Sequence, residues 1–158
     1  MIKLNRLTDY AVALLAQMAC KGKSLWSASD LAERTGFPQP TVSKILKKLT
    51  KSGVVIAHRG AMGGYRLGGA PHEITFASIV EAMDGPIAIT DCAQNDDSHL
   101  CSAEAVCPMQ GRWAVVNRAI RKALSDVTLR DVAEGAPHNN FVGTDNLGSP
   151  SHKSASIG

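Results

Sequence analysis

With 158 residues, 44% of them hydrophobic, the chain has material for one modest core or a small domain with an appended element, and two large independent domains are excluded. The net charge of +3 hides an asymmetry: residues 1–70 carry 11 Lys and Arg against 3 Asp and Glu, or +8, whereas residues 71–158 carry 6 against 11, or −5. A basic half joined to an acidic half points to a polyanionic partner for the first.

Lys3 and Arg6 precede an apolar run, "AVALLAQMAC", that ends in a cysteine in the manner of a lipoprotein leader. Asp9 and Tyr10 break that pattern before the run and Gln17 breaks it within. Leu7, Ala11, Leu14, Leu15 and Met18 recur at helical spacing, which predicts an amphipathic first helix of a soluble domain. No apolar stretch approaches membrane-spanning length, so the expectation is a cytoplasmic protein with no membrane partner. In that compartment thiols stay reduced, and clustered cysteines bind metal or sense redox state more often than they form structural disulfides. Cys20, alone at the end of the first helix, reads as a small packed residue.

The segment "SASDLAERTGFPQPTVSKILKKLTKSGVV" reads as two short helices around a tight turn. Ser27 stands as N-cap with Asp30 in a capping-box-like role, Gly36 ends the first helix, Pro38 blocks its continuation and Pro40 suits the first turn of the second. Val42, Ile45, Leu46 and Leu49 form one apolar stripe. Thr41, Ser43, Lys44, Lys47, Lys48 and Lys51 are left on other faces, as in a helix-turn-helix whose second helix shows hydroxyls and ammonium groups to a DNA groove. Next, "VVIAHRGAMGGYRLGG" places two β-prone runs around Arg59, Gly60, Gly63 and Gly64, the pattern of a hairpin wing. Glycines there permit close approach to a sugar-phosphate backbone, Arg59 suits a minor groove, and His58 and Arg66 suit phosphates. Helix, helix-turn-helix and wing in this order make a winged helix-turn-helix.

After the wing, "EITFASIVEAMDGP" predicts a helix capped near Thr75, with Phe76, Ile79, Val80 and Met83 inward and Gly85-Pro86 as its stop. Val106, Met109, Trp113, Val116, Ile120, Leu124 and Val127 then recur every three or four residues, close to a heptad seam. One such helix on a small domain exposes more apolar surface than a monomer should, which predicts pairing with a two-fold mate. Thr128 caps a short last helix, "LRDVAE". The fold class is therefore mainly α with a small β wing, organised as a winged helix-turn-helix with its following helix (1–84), a cysteine loop (85–107), a dimerisation helix with the short last helix (108–134) and a disordered tail (135–158).

The loop holds Cys92, Cys101 and Cys107, with eight residues between the first pair and five between the second. No Cys-x-x-Cys knuckle of a structural zinc site is present. Widely spaced thiolates suit an iron-sulfur cluster, which accepts varied ligand spacing, and the neighbouring Asp91, Asp96, Asp97 and Glu104 keep the loop away from DNA. A fourth ligand is needed, and the loop itself offers His99.

These features together resemble the winged-helix iron-sulfur regulators of bacteria, the family of the Isc and Suf assembly regulators and the nitric-oxide-sensing repressor. The resemblance is carried by "LTDYAVALLAQMA", "TVSKILKKLTKSGVV", "RGAMGGYRLGG", "ITFASIVEAMDGP" and the three cysteines, over residues 1–134. It implies a homodimer on a double-stranded operator, with Cys92, Cys101 and Cys107 ligating a cluster, 2Fe-2S in preference to 4Fe-4S, whose status changes operator binding. It is similar in character to the Suf regulators, which implies repression of cluster-assembly genes. Some members supply a histidine three residues after the third cysteine, where this chain has Gln110. Nitric-oxide-sensing members use an aspartate of the partner's first helix, and "LTDY" puts Asp9 there, although a helix-start carboxylate is also favoured by the dipole. Ser43 stands where some members carry an acidic residue that discriminates operators, so the operator sequence does not transfer. The alternatives are the same fold sensing nitric oxide, iron or redox state and, from another class, a cysteine-dependent enzyme, for which no motif places a catalytic partner.

Overall fold

The computed structural model describes residues 3–20, 25–60, 62–90, 108 and 112–134. In chain order these form α1 (Arg6–Cys20), α2 (Ala28–Thr35), α3 (Gln39–Lys51), β1 (Val55–His58), β2 (Gly64–Leu67), α4 (Phe76–Asp84), α5 (Trp113–Ser125) and α6 (Leu129–Glu134). The architecture is mainly helical with a two-stranded antiparallel sheet, the fold class that the sequence predicts.

Helix α1 begins where Asn5 Oδ1 accepts the amides of Leu7 at 2.8 Å and Thr8 at 3.0 Å. Its apolar face buries Ala11, Leu14, Leu15 and Met18 against Leu31 of α2 and Val42, Ile45, Leu46 and Leu49 of α3 in one core cluster. Full burial of each such aliphatic side chain is worth about 1.5–3 kcal/mol, so the α3 stripe decides which face of that helix is left to solvent. Ser27 caps α2 by accepting the Asp30 amide at 3.0 Å, and Gly36 closes it at φ 71°. Pro38 then occupies the N-cap position of α3, with Pro40 in its first turn. The fixed φ of proline suits that turn, and its missing amide costs nothing there.

The strands pair from Val55 opposite Leu67 to His58 opposite Gly64. Trp26, just before α2, adds a third short rung: its amide donates to the Tyr65 carbonyl at 2.8 Å and its carbonyl accepts from Tyr65 at 2.7 Å. This rung explains Gly64, because a Cβ there would lie 2.7 Å from the Trp26 carbonyl oxygen. At the tip, a Cβ on Gly63 would meet the His58 carbonyl oxygen at 2.6 Å, and Gly60 sits at φ 130°. The wing glycines are therefore required by the hairpin's own backbone, before any contact with DNA.

Thr75 caps α4 through the Ser78 amide at 3.1 Å, and Gly85, at φ 92°, ends it. Helix α5 packs on α4 and is fastened by an Arg121–Glu81 ion pair at 2.8 Å, yet none of its residues is buried within this chain. The sequence carries its apolar seam on through Val127, but the helix ends at Ser125, and Val106 and Met109 lie outside the described residues. Two bonds explain the break. The Val127 carbonyl accepts the Phe76 amide at 2.8 Å, and Thr128 forms a capping box with Asp131, whose carboxyl is held below the usual carboxylate range by the Thr128 hydroxyl and amide. Helix α6 packs on α1, with Leu129 fully buried and its amide bonded to the Ile74 carbonyl at 2.8 Å.

Candidate nucleic-acid interface

The core fixes the outward surface of α3. With Val42, Ile45, Leu46 and Leu49 all at 0% exposure, Ser43, Lys44 and Lys47 are left exposed and Thr41 is half-buried at the start of the helix. Two hydroxyls and two ammonium groups on one short helix offer hydrogen-bond donors to phosphates and to base edges alike. Lys48 is also exposed, but its ammonium is engaged: Nζ donates to the Met83 carbonyl at 2.6 Å, in the last turn of α4. There it meets orphan carbonyls at the negative end of a helix dipole.

On the wing, Arg59 and Met62 are exposed around the tight turn at Gly60, where the Gly63 amide bonds the Gly60 carbonyl at 2.9 Å. Arg66 Nε donates to His58 Nε2 at 2.7 Å across the two strands, which holds both side chains on the same exposed side of the hairpin. That bond uses the imidazole lone pair and leaves the remaining guanidinium donors of Arg66 outward. The basic residues of α3 and of the wing thus belong to elements joined only through Ser52, Gly53 and Val54.

Contacts that the sequence reading missed brace this surface. Tyr10 of α1 stacks on Phe37, in the turn between α2 and α3, at 4.2 Å between ring centroids. The Arg6 guanidinium lies over the Tyr10 ring at 5.5 Å, and Arg6 Nε donates to its hydroxyl at 2.8 Å. At the start of α1, Thr8 Oγ1 donates to Asp84 Oδ2 at 2.8 Å and Asn5 Nδ2 donates to Asp84 Oδ1. An asparagine just ahead of an amphipathic run is a legible cap signal. The link to Asp84 joins residues too far apart in the chain for a local pattern to announce it.

Asp9 is exposed in the first turn of α1. Cys92, Cys101 and Cys107, with His99 and Gln110, lie outside the described residues, as does the segment 135–158. Among the described residues no group of three His, Cys, Asp or Glu side chains could hold a metal ion, and no helix is long and apolar enough to cross a membrane.

Alanine at Lys44 and at Arg59 weakens DNA binding, and the two losses differ in kind. Loss of a phosphate contact weakens all sequences about equally and lowers the salt slope by roughly one, whereas loss of a base contact costs roughly 1–3 kcal/mol and relaxes specificity. Titrations of specific and scrambled duplexes at several salt concentrations separate the two, and wild-type binding by both variants would exclude this docking face.

A family model described as an iron-dependent transcriptional regulator, Rrf2, matches residues 4–135. The protein aau3 of Rhizobium meliloti is 30% identical over 148 residues, covering 89% of this chain and 91% of that protein. The transcriptional regulator IscR of Vibrio atlanticus is 30% identical over 132 residues, covering 83% of this chain and 75% of its own length. Among solved structures, that of CymR, the global cysteine regulator of B. subtilis, superposes with a TM-score of 0.65 at 25% identity, covering 87% of this chain and all, 100%, of that one.

Proposed function

The chain belongs to the Rrf2 family of transcriptional regulators, and from that membership we propose that it is a cytoplasmic, homodimeric repressor of iron-sulfur cluster-assembly genes of the Suf type, governed by a cluster on Cys92, Cys101 and Cys107. Membership makes it a DNA-binding regulator and not an enzyme. The observation that carries the sensor reading is the position of the thiols. All three fall between the end of α4 at Asp84 and the start of α5 at Trp113, where the chain leaves the DNA-binding half.

The donor set suits the group. Three soft thiolates in one segment are the ligands of an iron-sulfur cluster, and their spacing lacks the knuckle of a structural zinc site. Asp9, exposed on α1, is available as a fourth ligand to a partner's cluster, and His99 is the alternative within the loop. When bound, the cluster supplies a redox-active, labile centre whose presence reports the supply of iron and sulfur.

The chain's own residues would turn that presence into a change of affinity. Two copies of α3 must reach grooves a fixed distance apart, so a small rotation between the two halves of a dimer changes how many contacts form at once. Exposed Val115 and Val116 on α5 supply an apolar face for the second copy. A coupling of about 1–3 kcal/mol between cluster loading and operator binding is typical of such systems. Anaerobic purification followed by absorption and electron paramagnetic resonance spectroscopy tests the proposal. Visible absorption with a cluster signal, together with a difference in operator affinity between loaded and stripped protein, is the expected result. Colourless, iron-free protein under those conditions would sink it.

A further inference from the structure

We infer that Lys48 is a positioning residue, not a groove contact: it ties α3 to the end of α4 from which the cysteine segment departs. The inference rests on the proposed function for what that tie transmits. Three elements meet at this end. Lys48 of α3 donates to the Met83 carbonyl at 2.6 Å, while Thr8 and Asn5, at the start of α1, donate to the two carboxylate oxygens of Asp84. The next residue, Gly85, turns the chain out at φ 92°.

The chemistry makes this end of α4 sensitive to small displacement. Its last carbonyls carry the negative end of the helix dipole, which favours the Lys48 ammonium and disfavours the Asp84 carboxylate. Asp84 is held there by its two donors, and one of them, Thr8, is a fully buried residue whose hydroxyl would lose its partner if Asp84 moved. A shift of about 1 Å in residues 83–85 takes such hydrogen bonds outside their working range. The core stripe of α3 is apolar, Val42, Ile45, Leu46 and Leu49, and hydrophobic packing is non-directional. The Lys48 bond is directional, and it lies one turn beyond Lys44 on the same helix. Movement at the root of the cysteine segment therefore reaches the outward face of α3 through Lys48.

Two variants of the full chain test this. Lys48→Met keeps the unbranched stem and removes the donor, whereas Lys48→Arg keeps a donor. Operator affinity is measured for cluster-loaded and cluster-free protein across a salt series, with cluster content read by absorption. The expected result for Lys48→Met is wild-type absorption and a wild-type salt slope, with the loaded-to-free affinity ratio shrunk by about two- to thirtyfold. Lys48→Arg restores most of the ratio. A salt slope lowered by about one, with both forms weakened equally, would make Lys48 a phosphate contact and overturn the inference. An unchanged ratio at unchanged slope overturns it as well. If the wild-type protein takes up no iron, the sensor proposal fails by itself. The cluster-free proteins then decide the role of Lys48: an unchanged slope with operator affinity lost in Lys48→Met and restored in Lys48→Arg supports positioning, whereas unchanged affinity or a slope lowered by about one refutes it.

Discussion

Alanine in place of Cys92, Cys101 or Cys107 abolishes the cluster and fixes operator affinity at a single value, whatever the iron supply. In the proposed site each thiolate would be one of few protein ligands, and a cluster deprived of one exchanges with solvent instead of staying bound. The proposed switch works only because one group bridges the segment between α4 and α5, so loss of any one ligand has the same consequence as loss of all three. Cys20→Ala, at the last position of α1, leaves both cluster and coupling unchanged. Asp9→Ala makes the cluster labile or alters its spectrum, and His99→Ala does neither. The opposite result for Asp9 and His99 would move the fourth ligand into the loop. Anaerobic absorption spectra and operator titrations of the variants supply the measurement, and a wild-type spectrum from any of the three loop variants would remove that residue from the ligand set.

Val116→Asp splits or misfolds the proposed dimer. Val115 is 67% exposed, Val116 43% and Val127 39%, and these make up three of the five large hydrophobic residues left exposed among the described residues. Their concentration along 115–127 supports the proposed pairing with a second copy. A carboxylate at Val116 would be buried without a partner in both subunits at once, at a cost of several kcal/mol per subunit. Ile120→Asp, half-buried one turn further on, has the same effect. Within one chain neither site is fully buried, so the damage falls on assembly more than on the monomer. Sedimentation equilibrium reads the outcome directly, and intact dimers from both variants would take α5 out of the interface.

The lysines of α3 show where reading a sequence stops. Lys44, Lys47 and Lys48 are equivalent in the pattern, since helical periodicity reports which side of a helix is apolar but not what another element brings to the polar side. Only the packing of α4 puts the Met83 carbonyl within reach of Lys48 and of neither other lysine. The last helix gives a second case. Thr128 and Asp131 announce its start, because a capping box is closed within a single turn. Its destination on α1 depends on the Phe76–Val127 and Leu129–Ile74 bonds, which span more than fifty residues of chain.

By itself the sequence determined whatever is closed within a few residues or repeated along one element. Ser27, Thr75 and Thr128 as caps, Gly36 and Gly85 as stops, the buried stripes of α1 and α3 and the two strands of the wing are all of this kind, because local hydrogen bonds and periodic burial need no knowledge of distant chain. The tertiary structure alone decided the Trp26 rung that forces glycine at position 64, the stacking of Tyr10 on Phe37, the Asp84 clamp on the start of α1 and the engagement of Lys48. Each depends on two elements meeting at one angle and one depth. That geometry is set by how the whole apolar core fills, which no window of sequence contains.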